Sequence, residues 1–497
     1  MNALEQDALE VLCLVRSFKN LFAPINEIPH DVLSLLPDYW NEYRKDQNLI
    51  TLTHVCRGWR GTFTSRSSLW ARLDFSNVDK TRTYIERSGS FPLEIHLDGQ
   101  DTRHLDTFSL AIPHLHRLKS LSMSVNVLPD VLKHFCCQTP LLEDLRICLY
   151  SSHNPTLDRT LFDGDLSSLR KLTLGGTITI SHLPWNNMKN LQFLDLRDEP
   201  YDVTQLLDFF ESAPLLHTIE LENSIPDSSD APPHRIVTLP HLKALTIEAD
   251  PPHSILLNHL CIPTGASLVL RFYFSNQISP LLDCLSESST NLKNLSHITT
   301  INLRFDSEKK AVRLSGPSGS LRLSAYWQSR ETGSHTADHR ILHSLDRPPL
   351  STTQRLVISK YRHPYQAKGS QIFQCLSSMN SLRILVLAEC DNLPFLHALN
   401  PEENVQSTSV PCPDLKELVL YIGFQDQFHI EHLISMVKNR ASRGAKLSSI
   451  TIMGLDEPAP GGQVFKLEEH VTHVTYKVGG VPPAWDDIPG ESGGESR

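Results

Sequence analysis

One short pattern, L-x-x-L-x-L or a close aliphatic version of it, recurs ten times between residues 115 and 453 of this 497-residue chain. The first steps from one copy to the next are 24, 27, 22, 25 and 26 residues. A single copy is too short to bury its own leucines, so neighbouring copies have to stack and share them. The pattern therefore predicts a stacked array. The copies begin at Leu118, Leu142, Leu169, Leu191, Leu216, Leu242, Ile298, Leu382, Leu415 and Leu447.

A period of 20–29 residues is typical of leucine-rich repeats, in which each copy contributes one short parallel strand. Residues 130–140 and 204–214 lie between copies, carry apolar residues at helical spacing and end in proline. Both segments are therefore predicted to be helices that follow one strand and stop before the next. The predicted fold class is α/β, with an irregular leucine-rich repeat solenoid that has parallel strands inside and helices outside. An ordinary α/β domain with chance repeats is the alternative.

The middle of the array is irregular. The gap from Leu242 to Ile298 has room for one weaker copy, near residues 267–274. The longer gap that follows has room for two more, near residues 320–327 and 354–360. We predict that the array, with its C-terminal cap, extends over residues 115–478.

The chain in front of the array is predicted to be mostly helical. Residues 1–23 place apolar side chains three and four positions apart, which predicts an amphipathic helix. Residues 24–75 contain two further apolar stripes at helical spacing, and Pro37 should end the first of these helices early. Residues 76–114 are predicted to hold a linking strand and the first cap of the array. Residues 479–497 are rich in Gly, Pro and Ser and are predicted to be disordered.

Residues 24–75 contain three motifs in order: I-P-x-x-V-L-x-L-L, then L-x-x-L-x-x-V-C-R-x-W, then S-x-L-W. This segment resembles an F-box, and its motifs are close to those of F-box proteins of mushroom-type (basidiomycete) fungi. With the repeats behind it, nearly the whole chain resembles the F-box/leucine-rich-repeat arrangement. The resemblance implies a small all-helical F-box in front of the solenoid.

In the family that this segment resembles, the F-box binds the small adaptor of a cullin-based (SCF) ubiquitin ligase, and the repeats hold the protein to be ubiquitinated. The resemblance implies a substrate-recognition subunit with an adaptor protein and a target protein as partners. Trp59 is expected either in the adaptor contact or in the local core. By position, the adaptor contact falls on Ile28, Pro29, Leu33, Leu36, Leu52, Val55 and Trp59.

Composition excludes several other classes of function. The net charge is −10, and no basic stripe is visible, which argues against nucleic acid as the main partner. The ten cysteines include no CxxC pair, so neither a metal site nor a disulfide framework is expected. No signal peptide or membrane span is predicted, and the expected location is cytoplasmic or nuclear.

No catalytic motif stands in a suitable context, so we expect neither an enzyme nor a cofactor. Residues 490–494 spell G-x-S-x-G, but they lie in the tail, without the strand and helix that a nucleophile elbow requires. His429 and His432 flank Glu431 in an order that differs from the zinc motif H-E-x-x-H, and they are interpreted as a solvated helix face. Two competing functions stay open: a repeat scaffold that acts outside any ubiquitin ligase, and an enzyme without a recognised motif that uses a groove of the array.

Overall fold

The chain divides into two compact units, unit 1 (Met1–Phe193) and unit 2 (Leu194–Arg497). The predicted disordered tail and its G-x-S-x-G lie outside the described residues, as do residues 130–132 of the first predicted inter-strand helix. The computed structural model describes residues 3–39, 45–99, 107–125, 133–149, 161–176, 187–225, 235–248, 254–274, 291–305, 309–327, 352–361, 370–403, 410–423, 428–454 and 461–477.

Unit 1 begins with helices. The predicted N-terminal helix is present, and the helix after it stops at Ser34, before Pro37, and passes into a 3₁₀ turn at Leu36–Tyr39. Trp70 joins the later helices, because its ring packs 5.0 Å from that of Tyr84 and its Nε1 donates to the carbonyl of Phe63 at 2.8 Å. The helices are α1 (Ala3–Leu21), α2 (His30–Ser34), α3 (Lys45–Thr53), α4 (Arg57–Ser65) and α5 (Val78–Ser88).

Five strands of unit 1 pair in parallel, each with the next in the chain. The inward-facing aliphatic residues of successive repeats lie side by side, as Leu121, Leu145 and Leu172 do. This is the stacking that the repeat pattern predicts. The strands are β1 (Arg72–Leu73), β2 (Leu93–Gly99), β3 (Leu118–Val125), β4 (Asp144–Leu149) and β5 (Lys171–Gly176).

The helix predicted for residues 130–140 is wrong for its described part, which holds only a 3₁₀ turn at Lys133–Phe135. Pro140 disfavours helical backbone at the residue before it. The buried residues of the described connection are Phe135 and Thr139. The Phe135 ring lies in a phenylalanine stack with centroid distances of 5.4, 5.4 and 5.6 Å. The stack takes one ring from each connection, and its members are Phe75, Phe108, Phe135 and Phe162, all nearly fully buried.

Unit 2 opens with the same parallel pairing. Its first helix occupies residues 203–212, so the helix predicted for 204–214 is confirmed. The predicted weak copy near 267–274 is confirmed as a strand, β11, that pairs with β9. The short strands β8 and β10 pair separately. The elements are β6 (Phe193–Arg197), α6 (Val203–Ser212), β7 (Thr218–Glu222), β8 (Val237–Thr238), β9 (Ala244–Glu248), α7 (Ser254–Asn258), β10 (Leu260–Cys261) and β11 (Ser267–Phe274).

A hairpin interrupts the parallel order. Strand β13 (Lys309–Gly316) pairs antiparallel with β12 (Thr300–Phe305) and with β14 (Gly319–Trp327), and β14 returns to pair with β11. The order of neighbouring strands in the sheet is therefore β11, β14, β13, β12 and then β15 (Arg355–Ser359). The prediction of only parallel strands is wrong here, because the two-residue turn between Gly316 and Gly319 forces reversal. Gly319 has φ +134°, and a Cβ there would lie 2.6 Å from the Ala266 carbonyl oxygen.

The last strands return to parallel pairing, β15 through β19 in order, with β15 also parallel to β12. The strand predicted near 354–360 is thereby confirmed. A buried Arg440 fixes one inter-strand helix, because its guanidinium donates to the carbonyls of Pro411 at 2.6 Å and Cys412 at 2.8 Å. The elements are β15 (Arg355–Ser359), α8 (Ser370–Ser378), β16 (Ile384–Ala388), α9 (Leu393–Leu399), β17 (Glu417–Tyr421), α10 (Ile430–Ser442), β18 (Ser449–Met453), α11 (Gly461–Glu468) and β19 (His473–Lys477).

Candidate functional site

The outward-facing residues of the unit 1 strands form a continuous charged surface. In the repeat pattern, the middle residue of each strand lies between two buried aliphatic residues and points to the opposite face of the sheet. The pairing aligns four such residues in one row: His96, Ser122, Arg146 and Thr173. The adjacent row, two residues earlier in each strand, contains Arg72, Glu94, Ser120, Asp144 and Lys171.

All residues of the two rows except the buried Thr173 line a groove of about 360 Å³, which we call the charged strand face. Five of its side chains are cationic and three are acidic, a formal balance of +2, whereas the whole chain carries −10. The lining residues are Arg72, Glu94, His96, Lys119, Ser120, Ser122, Glu143, Asp144, Arg146, Arg170 and Lys171. A local excess of cations on an acidic protein favours an acidic ligand.

The acidic side chains only partly neutralise the groove. Lys119 lies 3.6 Å from the Glu143 carboxylate, an ion pair that is almost half exposed on both sides. Burial raises the pKa of the Asp144 carboxyl, against the opposing effect of the Lys171 and Arg146 cations. Four cations make no side-chain hydrogen bond or ion pair with the described residues: Arg72, Arg146, Arg170 and Lys171. Arginine donors can bind carboxylates in a two-point geometry, so the free groups suit an acidic chain segment.

The same position is apolar in three neighbouring strands of unit 2, β15, β16 and β17. Val357, Val386 and Val419 lie in register on neighbouring strands and are buried. The partly buried Ile384, Tyr421 and Met453 pack against these valines. We call this row the valine row. The same strand position therefore carries charge in β4 of unit 1 and closely packed aliphatic groups in β15–β17 of unit 2.

The seven predicted adaptor-contact residues differ in how far they are buried: three are buried, one is half-buried and three are exposed. Leu33, Leu52 and Trp59 are buried within the helical segment, and Trp59 Nε1 donates to Asn26 Oδ1 at 2.7 Å. Trp59 thus belongs to the local core of this chain, with its ring 5.9 Å from that of Phe63. Ile28 is half-buried. Pro29, Leu36 and Val55 are exposed.

Exposed apolar side chains are concentrated in and before this segment. Of 19 large hydrophobic residues exposed in the described parts of the chain, 14 lie within the first 55 residues. Helices this short cannot cover so many apolar groups, and a concentration of them marks an interaction surface. The exposed apolar residues of the F-box-like segment are Ile25, Val32, Leu35, Leu36, Ile50 and Val55.

The histidines singled out in the sequence lie beside a third one. The ring of His432 lies 5.0 Å from that of His397 and 5.9 Å from that of His429. Burial and the two neighbouring histidines lower the pKa of His397, whose Nδ1 contacts the Glu403 carboxylate. Within the described residues, no group of three or more His, Cys, Asp or Glu side chains has an arrangement suited to a metal ion.

Among the helices in the described ranges, none combines the length and the apolar character that crossing a membrane requires.

Comparison with known proteins finds no family model that matches the chain and no curated protein that matches it. Among solved structures, the chain is similar to an internalin from Listeria monocytogenes, with 12% sequence identity and a TM-score of 0.27. That similarity covers 74% of this chain and 82% of the internalin chain.

Proposed function

We propose that this protein is the substrate-recognition subunit of a cullin-based (SCF) ubiquitin ligase. Residues 24–75 act as an F-box that binds the adaptor, and the repeats bind a target protein. The chain carries no catalysis of its own. It holds the target beside the enzyme that transfers ubiquitin, and so raises the effective concentration of the target's lysines. The proposed place of action is the cytoplasm or the nucleus.

The exposed apolar surface of the F-box-like segment carries this proposal. The motif residues Leu33, Leu52 and Trp59 are buried and fix α2, α3 and α4 against one another. Pro29, Leu36 and Val55 remain exposed beside these helices: Pro29 precedes α2, Leu36 begins the 3₁₀ turn that follows it, and Val55 lies between α3 and α4. We assign direct adaptor contact to this exposed group, with Ile28 at its edge. The buried group positions the contact and acts on the adaptor only through the exposed residues.

The charged strand face is the proposed docking surface for the target. It lies on the outward side of β1–β5, where Arg146, Arg170 and Lys171 are exposed and Arg72 is half-buried. The free groups of Arg72, Arg146 and Lys171 favour an acidic segment of the target protein. The chemistry that selects the target is therefore separate from the apolar chemistry that holds the adaptor.

A binding assay between the full chain and a purified adaptor of a cullin ligase tests the proposal. We expect Val55→Asp and Leu36→Asp each to weaken binding by at least about tenfold, because each places a charge in an apolar contact. Leu141→Asp is the matched control, since Leu141 is similarly exposed but lies outside the F-box-like segment. The proposal fails if the adaptor does not bind the wild type, or if the control loses as much affinity as the two variants.

The second candidate is a repeat scaffold that acts outside any ligase. The charged strand face favours it equally, because target binding does not require an adaptor. A wild-type chain that binds acidic peptides through Arg146 but does not bind the adaptor would support the scaffold.

A further inference from the structure

Helix α1 leaves its apolar side uncovered. Leu4, Val11, Val15, Phe18 and, just past the helix end, Phe22 are each between 59% and 83% exposed. A helix of 19 residues is marginal in water without packing, so a stable α1 needs a cover for these groups. We call Leu4, Ala8, Val11, Val15, Phe18 and Phe22 the apolar stripe of α1.

The helix turns a different face towards the rest of unit 1. A cleft of about 770 Å³ lies between α1 and the F-box-like helices. On the α1 side, it is lined by Cys13, Arg16, Ser17 and Asn20, which share one helical face, and by the apolar Leu14 at the edge of that face. Phe18 reaches the same cleft from the edge of the apolar stripe. The mostly polar face of α1 therefore looks towards its own chain, and most of the stripe looks away from it.

The stripe has the spacing of a two-stranded coiled coil. Its members follow one another at steps of 4, 3, 4, 3 and 4 residues, which is the spacing of a coiled-coil seam. The exposed Leu12 and Leu14 flank this stripe. A stripe with this spacing is the kind that pairs with a second, similar helix.

The charges of α1 indicate which helix could pair with it. Glu5, Asp7 and Glu10 lie in its first half, and Arg16 and Lys19 lie in its second half. In a parallel pair of identical helices, the two acidic halves would lie side by side and repel each other. In an antiparallel pair, each acidic half lies beside a basic half. The charge pattern is thus complementary to its own reversed copy.

One register satisfies the stripe and the charges together. When two copies of α1 pair antiparallel, Val11 faces Val15, Ala8 faces Phe18 and Leu4 faces Phe22 of the second copy. In the same register, Glu5 of one copy lies next to Lys19 of the other, because both residues directly follow a stripe residue and flank the contact on the same side. Each contact occurs twice by symmetry. We propose that α1 is a self-association element through which two copies of this chain form an antiparallel helix pair.

Molecular mass in solution tests this proposal on the full chain. We expect the wild type to shift from monomer to dimer as concentration rises in sedimentation equilibrium, and Val11→Asp to remain monomeric. Leu9→Asp is the matched control, since Leu9 is exposed on the same helix but lies off the stripe, and it should dimerise like the wild type. A wild type that stays monomeric, or a control that fails as Val11→Asp does, overturns the proposal.

A charge exchange tests the orientation of the pair. Glu5→Lys and Lys19→Glu, made singly, should each raise the dimer dissociation constant by about tenfold, because each turns two attractive contacts into repulsive ones. The double variant restores both contacts and should recover the wild-type constant. Failure of this rescue overturns the antiparallel register.

The adaptor assay separates this proposal from the function proposed above, on which it does not depend. Val11→Asp should bind the adaptor as well as the wild type does. If the wild type is monomeric and Val11→Asp loses adaptor binding, the stripe binds the adaptor, and self-association is wrong.

Discussion

The charged strand face and the valine row occupy the same position of the repeat in two units of one chain. Arg146 in unit 1 and Val386 in unit 2 are both the middle residue of a strand, between two buried aliphatic residues. Arg146 is exposed beside other free cations, whereas Val386 is 2% exposed between two valines. The backbone ladder therefore does not decide what this face does. The chemistry is set by the one residue that the repeat pattern leaves free.

The connections between strands differ as well. The three connections between β2 and β5 in unit 1 contain short 3₁₀ turns, and each adds one ring to the phenylalanine stack. The late connections of unit 2 are α-helices, such as α10, which is anchored by the buried Arg440. Unit 1 thus relies on a few aromatic contacts where unit 2 spreads its burial over whole helices.

The largest effect should follow from breaking the phenylalanine stack. Phe135→Ala removes a fully buried ring between Phe108 and Phe162, and no helix is available to close the gap. We expect the free energy of unfolding of unit 1 to fall by about 3–5 kcal/mol, measured by chemical denaturation. Phe91→Ala, at an exposed ring in the same unit, serves as the control and should change little. An equal loss in the control would show that the stack has no special role.

A charge placed in the valine row should have a somewhat smaller effect. Val386→Asp buries an unpaired carboxylate between Val357 and Val419, at a cost of about 3 kcal/mol at neutral pH. Burial raises the pKa of such a carboxyl in the folded state, so the stability present at low pH is lost as pH rises through that pKa. Denaturation at acidic and neutral pH should therefore show the larger loss at neutral pH. Thr475→Asp, exposed in the same row, should be tolerated.

The reverse change in unit 1 should alter binding and leave stability nearly untouched. Arg146→Glu lies on an exposed strand position, so stability should stay within about 0.5 kcal/mol of the wild type. Fluorescence anisotropy with a short glutamate-rich peptide should show binding that weakens with salt and falls at least about tenfold in the variant. Arg443→Glu, exposed in unit 2, is the control. Equal binding of a lysine-rich peptide would argue against a role for charge.

The parallel stacking of this fold was predictable because it depends on the spacing of large aliphatic residues. The phenylalanine stack was missed, although Phe108, Phe135 and Phe162 recur every 27 residues, a step close to the repeat period. The buried Arg440 was missed as well, since its partners are backbone carbonyls that have no signature in the sequence. For the F-box-like segment, the motif located the helices, but it could not separate the buried Leu33, Leu52 and Trp59 from the exposed Val55.

The charged strand face was missed for a related reason. Its residues fall on the positions written x in the pattern, where any residue is compatible with folding. The reversal at β13 also lay hidden, because an alternating apolar strand reads the same in either direction. Only the turn Gly316–Gly319 distinguishes the two directions, and its Pro-Ser centre is no strong hairpin signal.

The hairpin also determines the order in which the chain can be assembled. In a purely parallel array, each new strand finds its neighbour already in place, so order can spread from one end as the chain is synthesised. Here, one edge of β11 stays unpaired until β12 and β13 have been synthesised, because its next neighbour is β14. An emerging chain therefore exposes the edge of β11 while it makes the hairpin, which is the period when it is most open to mispairing.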